Sequence, residues 1–155
     1  MSDETSGRGL MCFGCGAHNE RGLRMKFRRE DGRTICDYDP VAYQQGYPGR
    51  MHGGLVSTLL DEAMGWAVYD AQAWGATARL SVRFRHPVRL DQRLRIEAWV
   101  TQNRSRLIEL RGEVRDEAGL LLAEAEGTFM KLDEKMASQM SDIARGAGRD
   151  DAPIV

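Results

Sequence analysis

The 155-residue sequence has little net charge, few cysteines and no long apolar run. Its formal net charge of −1 gives no bulk attraction to nucleic acid or to an anionic membrane, so neither is an expected partner. No stretch approaches the ~20 consecutive apolar residues of a membrane-spanning helix. Three cysteines are an odd number, and a chain of this length can build a core without disulfides.

The remaining composition is that of an ordinary globular protein, with 42% hydrophobic and 29% charged residues. The length predicts one domain, which buries roughly two-thirds of its unfolded surface. The first residues lack the basic end and apolar stretch of a secretory signal, so we expect a cytoplasmic protein. We expect a loose N-terminus over residues 1–11, a folded domain over 12–132, and a polar tail over 133–155 with at most one frayed helical turn.

The pattern of apolar residues predicts a hairpin followed by one long helix. Strand-like residues 23–29 and 34–38 flank Asp31-Gly32, which is a hairpin signal. Helical spacing then predicts one helix over residues 54–70. The apolar face of this helix consists of Val56, Leu59, Leu60, Ala63, Met64, Ala67 and Val68.

After the helix the period of the apolar residues becomes two. Alternation over residues 78–84, 94–100, 108–114 and 123–129 predicts four strands. The links at 103–106 and 116–119 are short, which favours antiparallel neighbours and predicts a four-stranded meander. One apolar helix against one apolar sheet face makes a two-layer α+β domain.

A candidate site lies where the helix begins. Gly53 and Gly54 let a ligand approach the backbone, and the first helical amides favour a developing negative charge such as a carbonyl oxyanion. On the helical wheel Asp61 lies within about 40° of three small residues, so a substrate has room beside its carboxylate. The alternative is that Asp61 is a solvated helix residue.

A set of short motifs, in a fixed order, resembles one family. The motifs are Cys12-Phe13-Gly14-Cys15-Gly16 with Gly22-Leu23, Tyr47-Pro48-Gly49, His52-Gly53-Gly54, Leu60-Asp61-Glu62, Thr77-Ala78, and Arg83-Phe84-Arg85-His86-Pro87-Val88. Over residues 12–132 this set looks like the hotdog-fold acyl-CoA thioesterases of the PaaI-like group, within the 4-hydroxybenzoyl-CoA thioesterase superfamily. The resemblance implies an α+β hotdog fold, with one long helix packed on an antiparallel sheet.

The resemblance also implies roles for particular residues. Asp61 corresponds to the family's general base or nucleophile, and the Gly53 amide to the group that polarises the thioester carbonyl, with the Gly54 and Leu55 amides nearby. Thr77 matches a position that helps to hold the attacking water. Because the family site is shared between two subunits, we expect Asp61 and Thr77 on opposite sides of a dimer cleft.

Other side chains have weaker claims to the site. His52 is a candidate acid–base residue, although a role in bracing the turn or capping the helix is the favoured interpretation. Gln45 and Tyr47 are candidate pocket-lining residues, and Glu62 is expected to be solvated or at a dimer edge. Guanidinium groups match phosphate geometry, so several basic residues are candidates for the coenzyme A phosphates. These are Arg83, Arg85, Arg104, Arg106 and Lys131.

The pair Cys12 and Cys15 admits three interpretations. Two thiolates do not complete a four-ligand structural zinc site, and His18 or Cys36 could complete it only if the fold brought them close. A redox pair is expected in a βαβ setting, which the pattern lacks. We therefore predict a structural turn, with no metal and no cofactor.

These features predict a homodimeric or tetrameric enzyme that hydrolyses an aryl or a medium- or long-chain acyl-CoA. The sequence leaves open the acyl group, the choice between coenzyme A and acyl-carrier protein, and whether Asp61 is base or nucleophile. Two alternatives remain: a non-catalytic acyl-CoA-binding module, and a hotdog enoyl-thioester hydratase or dehydratase that depends on a histidine.

Overall fold

The computed structural model of the protein describes residues 11–146, so the expected loose N-terminus lies almost wholly outside the described residues, as does the end of the expected tail. The regular elements are β1 (Arg28–Glu30), β2 (Arg33–Tyr38), a 3-10 turn (Ala42–Gln44), α1 (Gly53–Asp70), β3 (Gly75–Phe84), β4 (Leu94–Asn103), β5 (Leu107–Asp116), β6 (Leu121–Lys131) and α2 (Glu134–Gly146).

Helix α1 lies across one antiparallel sheet and contacts five of its strands. All seven residues of the predicted apolar face are buried. Two glycines of the sheet allow this close approach: a Cβ on Gly127 would lie 2.8 Å from Met64 Sδ, and one on Gly112 would lie 3.1 Å from Leu60 Cδ2. The predicted helix and the two-layer α+β architecture are confirmed.

The Asp-Gly signal forms the turn between β1 and β2. Asp31 and Gly32 both have positive φ, 49° and 74°, as in a two-residue hairpin turn of type I′. The register across the turn pairs Glu30 with Arg33. The hairpin is confirmed, although its first strand begins only at Arg28.

The four-stranded meander was wrong, because the sheet order is β1-β2-β4-β5-β6-β3. Strands β4, β5 and β6 are joined by tight turns and form the predicted hairpins, but β3 pairs with β6 and β4 pairs with β2. The difference lies in residues 85–93, a link long enough to carry the chain from one side of the sheet to the other. Short links force sequential neighbours to pair, and a long link does not.

Strand β3 therefore forms an edge of the sheet and carries a β-bulge. Its register against β6 shifts between Thr77 and Arg79, so that Ala78 is the extra residue. Beyond the bulge Leu80 and Val82 pack against the core, as the alternation predicted, whereas Phe84 is 53% exposed. Before the bulge the alternation is reversed, and Thr77 lies on the side of the sheet that faces α1.

The C-terminal segment contains more structure than the predicted tail with one frayed turn. Helix α2 has 13 residues and begins behind Asp133, whose Oδ1 accepts a hydrogen bond from the Met136 amide at 2.8 Å. Trp74 Nε1 donates to Ser141 Oγ at 2.9 Å and ties α2 to the domain. An N-cap aspartate and a long-range side-chain contact together stabilise a helix whose sequence alone is too polar to indicate one. Within residues 11–146 no helix is both long enough and apolar enough to span a membrane.

Candidate active site

The start of α1 is organised by His52. This residue is the N-cap of the helix, with φ −59° and ψ 132°, and its Nδ1 accepts a hydrogen bond from the Gly54 amide at 2.9 Å. The Leu55 amide donates to the His52 carbonyl, also at 2.9 Å. The cap that the sequence favoured for His52 is present, and it engages two of the amides that had been expected near the substrate.

Gly53 is left as the exposed donor at this end of the helix. Among the hydrogen bonds of residues 11–146, none uses the Gly53 N–H, while the amides of Gly54, Leu55 and Val56 all have acceptors. A Cβ at Gly53 would lie 3.6 Å from the Phe84 ring, which is an ordinary van der Waals contact, so a small side chain would fit there. An unpaired N–H at a helix N-terminus can bind a carbonyl oxygen that becomes negative.

Asp61 lies two turns further along α1 and is half-buried. Thr77 Oγ1 donates to Asp61 Oδ1 at 2.7 Å within the same chain. The expectation that these residues lie on opposite sides of a dimer cleft was therefore wrong. The bulge at Ala78 is the physical reason, because it turns Thr77 toward the helix that carries Asp61.

Asp61 and Gly53 of one chain are too far apart to act on one carbonyl group. They are eight residues apart on the helix, which corresponds to about 12 Å along its axis. A base and an oxyanion donor that serve the same carbonyl must each lie about 3 Å from the reacting group. One chain alone therefore does not bring the predicted pair together.

An open surface pocket of about 410 Å³ lies beside the helix start. Its lining includes Tyr47, which is 84% exposed, together with His52 and Gly53. Gln45 is not part of this lining, and its Oε1 instead accepts a hydrogen bond from the Gly49 amide at 2.9 Å, which closes the preceding turn. Of the two residues predicted to line a pocket here, Tyr47 does so and Gln45 does not.

The four predicted phosphate-binding arginines fall into two groups. Arg83 and Arg85 lie at or just beyond the end of β3, where Arg85 pairs with Glu124 at 2.6 Å. Arg104 and Arg106 lie in the β4–β5 turn, near the start of β3, and Arg104 Nε donates to Gln102 at 2.9 Å. Strand β3 has ten residues, so its ends are about 30 Å apart. A single chain cannot place all four on one phosphate group.

A second polar cluster, which was not predicted from the sequence, forms around Glu62. Instead of being solvated, Glu62 faces Cys12, whose Sγ lies 3.6 Å from Glu62 Oε1, and Trp66 Nε1 donates to the same oxygen at 3.2 Å. Burial raises the pKa of Glu62 above its usual value. The pKa of Cys12 is lowered to about 5, chiefly by the hydrogen bond from the Cys15 side chain. Fifty residues separate Cys12 from Glu62, so no local sequence signal could have joined them.

Comparison with known proteins identifies a family to which the chain is similar. A family model described as the thioesterase superfamily matches residues 48–123. The acyl-coenzyme A thioesterase THEM4 of Bos taurus is 34% identical over 110 residues, which cover 70% of this chain and 45% of the relative. The protein of the same name from Xenopus laevis is 28% identical over 109 residues, with coverage of 70% and 49%. The chain thus spans about half the length of these curated relatives.

Solved structures show the same fold. The crystal structure of a thioesterase superfamily protein has a TM-score of 0.74 and 27% identity, covering 84% of this chain and 66% of that chain. The PaaI protein of E. coli, from its phenylacetic acid degradation operon, has a TM-score of 0.65 and 17% identity, with coverage of 71% and 80%. The protein thus matches the thioesterase superfamily over residues 48–123 and has the hotdog fold.

Proposed function

We propose that the protein is an acyl-CoA thioesterase, which hydrolyses an acyl thioester to the free acid and coenzyme A. The observation that carries this proposal is the carboxylate of Asp61, which is held at Oδ1 by Thr77 and lies beside the small residues Ser57 and Gly65. Within the described chain Thr77 is the one side chain that donates to Asp61, so Oδ2 is free to take a proton.

The proposed reaction needs no metal or redox cofactor at Asp61. A carboxylate can remove a proton from water as the water attacks the thioester carbon. The oxygen of the tetrahedral intermediate then accepts a hydrogen bond from the Gly53 N–H. When the carbon–sulfur bond breaks, the thiolate of coenzyme A leaves and receives the proton from Asp61. Direct attack by Asp61 would instead form an anhydride that water hydrolyses.

The complete site requires two copies of the chain. Strand β3 is an edge of the sheet, and an edge strand can pair with the same strand of a second copy around a two-fold axis. Antiparallel pairing would place the Thr77 end of one β3 beside the Phe84 end of the other. Asp61 of one subunit would then meet Gly53 of its partner, which resolves the separation of about 12 Å within each chain.

The same pairing would also unite the two arginine groups. The β4–β5 turn, with Arg104 and Arg106, lies near the Thr77 end of β3, and Arg83 and Arg85 lie near the Phe84 end. In a two-fold dimer these opposite ends come together. The arginines of both subunits could then bind the phosphates of one coenzyme A molecule. A dimer, or a dimer of such dimers, is therefore the proposed functional unit.

The related proteins support this choice of substrate. The curated relatives are named acyl-coenzyme A thioesterases. A hypothetical thioesterase protein from Streptococcus pneumoniae was solved with coenzyme A, and a protein from Streptococcus mutans was solved with acetyl CoA. The former was also solved with an aspartate or a threonine replaced by alanine, and these positions are sixteen residues apart, as are Asp61 and Thr77.

The hydratase alternative finds less support at His52. Such an enzyme would use the histidine as an acid–base group, but Nδ1 of His52 is engaged as the acceptor of the helix cap. Replacement of His52 should therefore disturb the helix start before it removes any proton transfer. The binding-module alternative remains as an outcome of the experiment below.

The direct test is release of free thiol from a panel of aryl, medium-chain and long-chain acyl-CoAs. We expect turnover of at least one member, with saturation kinetics, and slower turnover of the same acyl group on pantetheine, which lacks the phosphates that the arginines would bind. Saturable binding of every acyl-CoA without any release of thiol would contradict the proposal and favour the binding module. Preference for an acylated carrier protein would identify the other thioester carrier.

A shared site can be tested by subunit complementation. Asp61→Asn and Gly53→Pro are each expected to have at most about a hundredth of wild-type activity. When the two variants are mixed, unfolded and refolded together, activity should rise well above that of either parent. Random pairing makes half of the dimers mixed, and each mixed dimer has one intact site, so about a quarter of wild-type activity is expected. Refolded wild type serves as the control for recovery. If the mixture is no more active than its parents, the site does not span two subunits.

A further inference from the structure

The turn formed by residues 12–15 is packed directly against Glu62 of α1, on the helix beside Asp61 but outside the proposed active site. One ligand atom from each of Cys12, Cys15 and Glu62 lies within 4.8 Å of the other two. Cys12 Sγ is 3.6 Å from Glu62 Oε1 and 3.9 Å from Oε2. Three half-buried groups that metals favour thus converge on one point.

The turn that carries the two cysteines is closed by a backbone hydrogen bond. The Gly16 amide donates to the Cys12 carbonyl at 2.8 Å, so Cys12 and Cys15 lie within one tight turn. The two sulfurs are therefore held close enough together to bind one ion.

Gly14 allows the carboxylate to approach this turn. A Cβ at position 14 would collide with the Glu62 carboxylate, so the position must be glycine for Glu62 to reach the two sulfurs. The carboxylate is oriented from its other side by Trp66 Nε1, at 3.2 Å from Oε1. An outer hydrogen bond that orients a ligand is a regular feature of metal sites.

We propose that Cys12, Cys15 and Glu62 bind one Zn(II) ion or a similar thiophilic divalent cation, with water as the fourth ligand. Tetrahedral zinc with Zn–S of about 2.3 Å and Zn–O of about 2.0 Å separates sulfur from oxygen by about 3.5 Å. The 3.6 Å between Cys12 Sγ and Glu62 Oε1 fits that geometry. Both cysteines coordinate as thiolates, and any thiol proton still present before binding is released to solvent.

The site differs from the one that sequence reasoning dismissed. From the sequence, His18 and Cys36 were the candidate ligands besides the two cysteines. In the structure the third potential ligand is Glu62. Cys36 is buried in the core and outside the cluster. The proposed role is structural: the ion would fasten residues 12–15 to α1. The same segment is held by hydrogen bonds from the Leu23 amide to Phe13 O and from the Met25 amide to Gly14 O.

The proposal is tested by titrating the reduced, metal-free full-length protein with Co(II) and then Zn(II). We expect one equivalent of Co(II) to produce thiolate-to-cobalt charge-transfer bands and the intense visible bands of tetrahedral cobalt, and one equivalent of Zn(II) to remove them. The variants Cys12→Ser and Cys15→Ser should lose the charge-transfer bands of a two-thiolate site. Cys36→Ala is the matched control and should bind as wild type does.

Two further variants leave both cysteines intact. Glu62→Gln should weaken Zn(II) binding, and Trp66→Phe, which removes the outer hydrogen bond, should weaken it by about 10-fold. Circular dichroism checks that each variant folds. The proposal is overturned if the wild type binds no stoichiometric metal, or if the cysteine variants bind as tightly as the wild type. A Cys12–Cys15 disulfide whose reduction yields no metal binding would also overturn it, in favour of a redox pair.

Discussion

Replacing Asp61 with asparagine is expected to lower kcat for acyl-CoA hydrolysis by a factor of about 10² to 10⁴, the usual contribution of a general base. Asparagine has the shape of aspartate, and its Oδ1 can still accept the hydrogen bond from Thr77 that is 2.7 Å long in the wild type. It cannot take a proton from water or attack the thioester carbon. We therefore expect KM and the melting temperature to change little while kcat falls.

Asp70 provides a matched control on the same helix. It lies at the end of α1, and, like Asp61, it accepts a hydrogen bond from a threonine hydroxyl of a strand, in this case Thr34. Burial raises the pKa of Asp70. Asp70→Asn should retain wild-type kcat. If Asp61→Asn is as fast as wild type, or if both variants lose activity equally, the proposed role of Asp61 is wrong.

Replacing Gly53 with proline is expected to lower kcat by a factor of about 10² to 10³, the range seen when one oxyanion donor is removed. Proline has no N–H, so this substitution deletes the one free amide at the start of α1. The position tolerates proline because it is the first residue of the helix. The preceding His52 already has ψ of 132°, which is the conformation preferred before proline.

The control for this substitution is Gly53→Ala, which keeps the N–H. Its methyl group would lie 3.6 Å from the Phe84 ring, an ordinary contact. Thermal melts of the two variants should agree, and kcat should fall much further for proline than for alanine. Equal losses would mean that steric access to the helix start, and not the amide hydrogen, explains the effect.

Local signals predicted much of the fold. The helical spacing from Val56 to Val68 gave α1 to within one residue at its start, because a single buried face imposes that spacing. Asp31 and Gly32 identified the hairpin since few other residue pairs adopt two successive positive φ angles. Periodicity likewise located β2 to β6, with errors confined to their ends, whereas the first strand was predicted over residues 23–29 and lies at Arg28–Glu30.

Features that depend on distant parts of the chain were not predictable in this way. The pairing of β3 with β6 depends on the path of the long link after Phe84, about which alternation carries no information. The bulge at Ala78 depends on β6, so the sequence could not show that Thr77 turns toward Asp61. The contact of Glu62 with Cys12 joins residues that are fifty positions apart in the sequence, and no pattern of apolar residues links the two segments.

The candidate site was accordingly predicted in pieces. Asp61 and Gly53 were identified by residue type, by the helical wheel and by the family resemblance. Their separation of about 12 Å follows from their eight-residue spacing on α1. His52 was correctly assigned to the helix cap, because it directly precedes the first residues of α1 and its side chain can accept a hydrogen bond from their amides. The arginines were chosen by charge alone, and charge does not reveal which end of a strand a residue occupies.

The bulge in β3 has a consequence for how this protein tolerates changes in length. Before Ala78 the side chains that face α1 are at odd-numbered positions, and after it they are at even-numbered positions. The alternation of inward and outward side chains therefore shifts by one residue at the bulge. If the bulge were lost with Ala78 retained, an unbroken alternation counted back from Leu80 would turn Thr77 to the outer face, whereas deletion of Ala78 would leave Thr77 opposite Phe129 and facing α1. The orientation of the hydroxyl beside Asp61 thus depends on how many residues separate Thr77 from Leu80 and on whether the strand bulges between them.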